Sequence, residues 1–367
     1  MSIAEFFNLC NQHPWAYIAL IFNLGVVFVN GWTDGPNSIA TLVTTRTMKP
    51  FAAILMCALL NIAGVIVIGA FAASIAKALG GGDVSQTIAN LVNWGDTSVD
   101  QVLCGIACAL LAIVLVSLLC TYFGFPSSQS NCLIGAVTGS GLALMMLGGK
   151  VSIGADPWIR VLIGFFGSLI IGFLLGYGLT MLIKLIFRKT TKGKSTRFFN
   201  VGQIVTSGVM SFFHGVQDGA KFIGIFILIG ATLAASAGVN YSSALSSLTG
   251  TWWIYVPVAV FIGAGTLMGG RKIIKTMGKG MTNLAKYQAF ATDIAASIAL
   301  LFATVFGLPV STGTVKSTAI MGGGSTRGLR HVRWPVAGKM IMWGVIIFPA
   351  SALMAIILMM IFIWTVR

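Results

Sequence analysis

Long apolar runs separated by short polar or glycine-rich breaks make up most of the chain. They start near Trp15 and recur at 51–79, 101–123, 133–147, 158–187, 201–231, 252–269, 284–304 and 336–365. Several exceed the ~18 residues at which an apolar run reads as a membrane span. The alternating strands that a membrane barrel needs are absent from the sequence. The pattern therefore predicts an all-α polytopic membrane protein. No basic region precedes the first run, so it reads as a span rather than a cleaved signal peptide. No soluble domain, and no linker to one, is expected.

Two of the breaks are duplicated. Residues 30–40 read NGWTDGPNSIA and residues 214–224 read HGVQDGAKFIG. Gly31, Asp34, Gly35 and Ile39 recur 184 positions later as Gly215, Asp218, Gly219 and Ile223. Glycine and proline disfavour a continuous helix, so each copy is expected to break its span inside the membrane. A second pair is FGFPSSQSN at 123–131 and FGLPVSTGT at 306–314, 183 positions apart. Each lies between two apolar segments and reads as the tip of a re-entrant helical hairpin, near 101–147 and 284–326. Non-helical backbone at that depth requires protein or a cavity around it.

Charge sets the orientation. The net charge is +15, with 57% hydrophobic and 8% charged residues and a mean hydropathy of +0.94. Soluble domains carry about a quarter charged residues. Basic residues gather at 46–49, 184–197, 271–286 and 327–339, whereas the 80–100 loop carries Asp83, Asp96 and Asp100 and no Lys or Arg. The basic loops are placed in the cytoplasm; no motif for nucleic acid accompanies them. Both termini then lie outside. Residues 1–187 and 201–367 become inverted-topology repeats joined by a basic cytoplasmic loop at 188–200. The first hairpin dips from outside and the second from inside. The expected location is a prokaryotic plasma membrane.

The chemistry sits within the apolar segments. Of eight acidic residues, only Asp34, Asp218 and Asp293 lie there. A carboxylate at such depth is costly and marks a functional site unless it is paired. Asn37 follows Asp34 by one helical turn, where Lys221 follows Asp218. Asp34, Asn37, Gln217, Asp218, Lys221 and Asp293 are the candidates for the coupling cation or proton, with Na+ at Asp34, Asn37 and Asp218. His214 reads equally well as a packed histidine. The hairpin tips offer Ser127, Ser128, Gln129, Ser130 and Asn131, then Ser311, Thr312, Gly313 and Thr314. Half-helix N-termini starting there favour an anion. Six cysteines, at 10, 57, 104, 108, 120 and 132, read as small packing residues. No cofactor is expected, and no nucleophile–base pair or metal cluster supports an enzyme.

These motifs resemble the inorganic phosphate transporter (PiT) family. Its duplicated Gly-x-x-Asp-x-x-Asn and Asp-x-x-Lys signatures match Gly31, Asp34 and Asn37, then Gly215, Asp218 and Lys221. GTLMGGRKIIKTMGK, from Gly265, is also similar to the family. The resemblance implies a homodimeric secondary transporter that imports phosphate with Na+ or H+ by alternating access. Departures fall at the tips. The family's Pro-x-Ser-(Ser/Thr)-(Ser/Thr)-His becomes Ser128, Gln129, Ser130 and Asn131 in one copy and Ser311, Thr312, Gly313 and Thr314 in the other, so both histidines are missing. Sulfate or another oxyanion is the alternative cargo. An oxyanion channel is the alternative class. Phosphate can donate a proton to Asp34 or Asp218 and sulfate cannot, which favours phosphate. Like-charge repulsion from Lys221 favours H+ over Na+.

Overall fold

The structure is a computed structural model describing residues 2–79, 83–123, 128–269, 274 and 280–365. The apolar runs are helices: α1 (Ile3–Gln12), α2 (Pro14–Thr33), α3 (Ala40–Thr44), α4 (Pro50–Leu79), α5 (Val84–Ala89), α6 (Val99–Phe123), α7 (Gln129–Met146), α8 (Ala155–Ile186), α9 (Lys192–Ser236), α10 (Tyr241–Leu248), α11 (Trp252–Met268), α12 (Lys286–Val305), α13 (Thr312–Ser325) and α14 (Trp334–Phe362). A helix satisfies its own backbone, which lipid cannot do. Among the described residues, seven helical spans are long and apolar enough to cross a membrane. Two-residue strands, β1 (Val92–Asn93) and β2 (Ser152–Ile153), pair antiparallel beside the α6–α7 hairpin. The chain is a multi-pass membrane protein.

The duplication governs the packing. Helix α2 lies on α11 as α9 lies on α4, and α2 lies on α6 as α9 lies on α12. Helix α7 lies on α14 as α13 lies on α8, and α6 lies on α14 as α12 lies on α8. Exchanging the two halves maps this set of contacts onto itself. Glycine sets the distance at the repeated crossings. A Cβ on Gly31 would lie 2.1 Å from the Ile262 carbonyl oxygen, and one on Gly215 would lie 2.2 Å from that of Asn61. These are the same crossing in the two halves. Small residues let backbones approach where lipid gives no hydrophobic drive between helices.

The hairpins are α6–α7 and α12–α13. Ser128 and Ser311, both extended, cap α7 and α13. The two caps face each other, with Ser128 Oγ donating to Ser311 Oγ at 2.9 Å. Helices meeting at their N-terminal caps run away from one another, so the hairpins enter from opposite sides. This is the inverted topology that the sequence predicts. Gly307, at φ +64°, and Pro309 end α12 before the second tip.

Two expectations change in detail. The helix does break at Asp34: α2 ends at Thr33, a 3-10 turn covers Gly35–Asn37, and α3 resumes at Ala40. The second copy, by contrast, lies inside the uninterrupted α9. Pro36 explains the difference, because it lacks an N–H and its ring clashes with the preceding turn. Ala220 occupies the equivalent place in α9. Residues 192–200, read as loop, are the first turns of α9. They are held by Phe199 packing against Phe187, Tyr287 and Phe290.

Gly215→Ala is expected to lower stability by about 1–3 kcal/mol through overpacking against α4. Gly25→Ala, with nothing within 4 Å of its Cβ position, should be neutral. Thermal unfolding of both variants in detergent, followed by size-exclusion of the surviving protein, checks the contrast.

Candidate functional site

The broken helix and α9 bring the two motif carboxylates together. Asn30, one turn before Asp34 on α2, reaches both: its Nδ2 lies 3.5 Å from Asp34 Oδ2 and 3.1 Å from Asp218 Oδ2. Asp34 is 6% exposed and Asp218 is fully buried. Their surroundings differ sharply. Lys221 Nζ donates to Asp218 Oδ1 at 2.8 Å, to Ser130 Oγ at 2.7 Å and to the Val310 carbonyl at 2.5 Å. Thr312 Oγ1 donates to Asp218 Oδ2 at 3.4 Å. His214 Nε2 also stands 3.4 Å from that oxygen, while its Nδ1 is 3.2 Å from Asn61 Oδ1. Asp218 therefore faces a cation and several polar groups. Asp34 has no ammonium partner among these contacts, and its bond from Asn30 is long.

Lys221 is the joint of the site. Its three bonds tie α9 to the first hairpin through Ser130 and to the second through Val310. Burying the ammonium is tolerable because a carboxylate and two further acceptors surround it.

The tips supply the rest. Ser128 and Ser311 hydroxyls accept from the N–H groups of Asn131 and Thr314, at 3.4 and 3.3 Å. They are thus helix caps that also bond to each other. Gln129 Nε2 lies 3.4 Å from Thr33 Oγ1, beside Asp34. Asn131 Nδ2 donates to the Gly344 carbonyl on α14 at 3.0 Å, so it braces the hairpin. A Cβ on Gly313 would meet Asn37 Nδ2 at 3.2 Å, which places Asn37 against the second tip. Thr314 is partly buried in the first turn of α13. Ser127 lies outside the described residues.

Two candidates stand apart from the carboxylate pair. Gln217 Nε2 donates to the Leu308 carbonyl at 2.7 Å and its Oε1 accepts from Thr304 at 3.4 Å, so it holds the second hairpin. Asp293 sits in a separate cluster with Lys316, Thr41 and Ser207. Two residues, Asn30 and Asn61, escape sequence reasoning, and Lys316 is visible there only as a rare buried basic residue after the second tip. Asn30 occupies the repeat position of His214, four residues before its carboxylate, and that shared offset is a usable signal. Asn61, alone in an apolar run, bonds to His214 and Thr266. Lys316 takes its meaning only from its partner across the hairpin.

The arrangement has a clear chemical character. Two helix N-termini converge with hydroxyls at their first turns, and this geometry suits an oxyanion. Of four buried amide oxygens without a hydrogen-bond donor among the described residues, Asn23 Oδ1 lies further back on α2 and three lie near the site: Asn30 Oδ1, Asn37 Oδ1 and Gln129 Oε1. These three belong to residues flanking Asp34 or the first tip. Unpaired acceptors beside a carboxylate suit a hard cation that prefers oxygen ligands. Among the described residues no group of three or more His, Cys, Asp or Glu side chains forms a metal site of another kind.

Comparison with known proteins agrees with this geometry. The model of a family described as "Phosphate transporter family" matches residues 30–355. A Bacillus subtilis (strain 168) protein named "Probable low-affinity inorganic phosphate transporter" is 32% identical over 335 residues, covering 91% of this chain and 93% of its own. A Rhizobium meliloti (strain 1021) protein of the same name is 32% identical over 342 residues, with 92% of each chain covered. A solved structure named "The sodium-dependent phosphate transporter" superposes with a TM-score of 0.81 at 21% identity, covering 96% of this chain and 100% of the other. The motif pair, the opposed hairpins and a match running through both halves lead to one assignment: the chain belongs to the phosphate transporter family.

Proposed function

We propose that the protein imports inorganic phosphate by cation symport, working by alternating access between its inverted repeats. One observation carries the reading: Asp34 and Asp218 share the Asn30 amide directly beside two opposed helix N-termini. An anion site and a carboxylate site in contact allow anion and cation to bind together, each lowering the cost of the other. The relatives' names support phosphate as the cargo.

Phosphate is held by the first turns of α7 and α13, through Ser128, Ser130, Ser311, Thr312 and their backbone N–H groups. Binding parts the Ser128–Ser311 contact, which an anion placed between the tips replaces. A protonated phosphate also donates to a carboxylate, which sulfate cannot do. Asp34, Asn37 and Asn30 hold the coupling cation. Lys221 is turned to Asp218, Ser130 and Val310, which centres its repulsion on Asp218 rather than Asp34. The unpaired amide oxygens near Asp34 favour Na+ over H+, since a proton needs one acceptor and Na+ needs several. The name of the structural neighbour, a sodium-dependent transporter, supports the same choice. The basic loops face the cytoplasm and both termini face outward. The two halves meet between 188 and 200, and the protein works as a homodimer in a bacterial plasma membrane.

Purified protein in liposomes is expected to accumulate radiolabelled phosphate under an inward Na+ gradient, with sulfate taken up poorly. Uptake driven by a pH gradient alone assigns the coupling to H+ instead. Absence of gradient-driven uptake under both conditions defeats the symport reading.

Asp34→Asn is expected to fold normally and to lower gradient-driven uptake on the order of tenfold or more, because one charged ligand is lost. Asp218→Asn leaves the Lys221 ammonium buried without its carboxylate, which costs about 3–5 kcal/mol. Its signature is a lower melting temperature, which Lys221→Met in the same chain should partly restore.

A further inference from the structure

Asp293 and Lys316 form a second buried ion pair that the phosphate and cation sites do not use. Both side chains are 0% exposed. They draw four elements together. Asp293 lies on α12 and Lys316 on α13, in direct contact. Thr41 of α3 donates to Asp293 Oδ1 at 2.9 Å and lies 3.3 Å from Lys316 Nζ. Ser207 of α9 donates to Asp293 Oδ2 at 2.5 Å.

From this pair a polar chain leads back to Asp34. Ser211 Oγ lies 2.9 Å from the Ser207 carbonyl oxygen and donates its one hydrogen to Ser38 Oγ, also at 2.9 Å. Ser38 Oγ donates to the Gly35 carbonyl at 2.8 Å. The broken segment carrying Asp34 and Asn37 is thus fastened twice, through Ser38 before α3 and through Thr41 within it. Pro36 gives this segment its break, so it lacks the continuous helical bonding that stiffens the equivalent part of α9. Its position depends on side-chain attachments.

The mirror positions differ. Repeat equivalents of Asp293, Lys316 and Thr41 are Leu110, Leu133 and Ile225, all fully buried in one apolar core. At these mirror positions the first hairpin meets α9 through apolar side chains alone, while the second hairpin meets the broken segment through an ion pair.

We infer that Asp293 and Lys316 are a positioning pair, which clamps the broken segment 34–45 onto the second hairpin and so sets the placement of Asp34 and Asn37 against its tip. The inference rests on the phosphate symport reading for its functional consequence, and on geometry alone for the clamp. Removing both charges leaves no unpaired ion behind. The segment then loosens while the α4–α11 and α2–α11 contacts hold.

The test uses the full-length protein with Asp293→Asn and Lys316→Met combined. Amide hydrogen exchange in residues 35–45 should quicken by about tenfold or more, with residues 55–66 of α4 unchanged. In liposomes the phosphate KM should rise about threefold to thirtyfold, with a smaller change in maximal rate. Wild-type exchange in 35–45 together with wild-type KM overturns the inference, and so does faster exchange spread evenly over the whole chain. Should the double variant not fold, Thr41→Val decides: it keeps the ion pair and should quicken exchange within residues 40–45, and no change there also overturns the clamp. A wild-type protein without phosphate uptake defeats the transport reading, while the exchange measurement still judges the clamp separately.

Discussion

Two carboxylates buried at the contact between the halves are the constraint from which the rest of the structure follows. Charge there is tolerated only if the protein supplies what water no longer does. For Asp218 it supplies Lys221, Asn30 and Thr312, drawn from both halves of the chain. Lys221 in turn reaches both hairpins. Satisfying one ion therefore joins α2, α9, α7 and the second tip, which is why the site and the joint between repeats coincide. Among the described residues Asp34 has no such ammonium, and its side-chain bond from Asn30 is long, at 3.5 Å.

The repeat gives the scaffold its symmetry and the substitutions within it give it direction. Gly31 and Gly215 make the same close crossing in both halves. Beside them, Asn30 faces His214 when the two copies are aligned, Pro36 faces Ala220, and Asn37 faces Lys221. One copy is broken and neutral around its carboxylate; the other is continuous and carries its own ammonium. A near-symmetric frame thus carries different electrostatics at equivalent positions, with an ammonium against Asp218 and, among the described residues, none against Asp34.

Much of this is legible in the sequence for definite reasons. Asp34, Asp218 and the FG-x-P tips stand out because charge, proline and hydroxyls are rare in apolar runs and because they recur at one spacing. The opposed polarity of the hairpins follows from where Lys and Arg collect. Other features depend on tertiary structure. Asn30 looks like the polar edge of a motif until it is seen spanning two carboxylates. Asp293 and Lys316 lie on opposite arms of a hairpin, and no local pattern pairs them. The continuity of α9 turns on Ala220 standing where Pro36 breaks the first copy, a single substitution outweighed in sequence by the matching glycines.

If anion and cation meet where the two tips touch, both should be visible there together. A cryo-EM structure of the protein in lipid, with saturating phosphate and Na+, looks for them directly. Anion density is expected between the first turns of α7 and α13, with the Ser128 and Ser311 hydroxyls parted around it and a cation against Asp34. Phosphate bound elsewhere with that hydroxyl contact intact would contradict this arrangement.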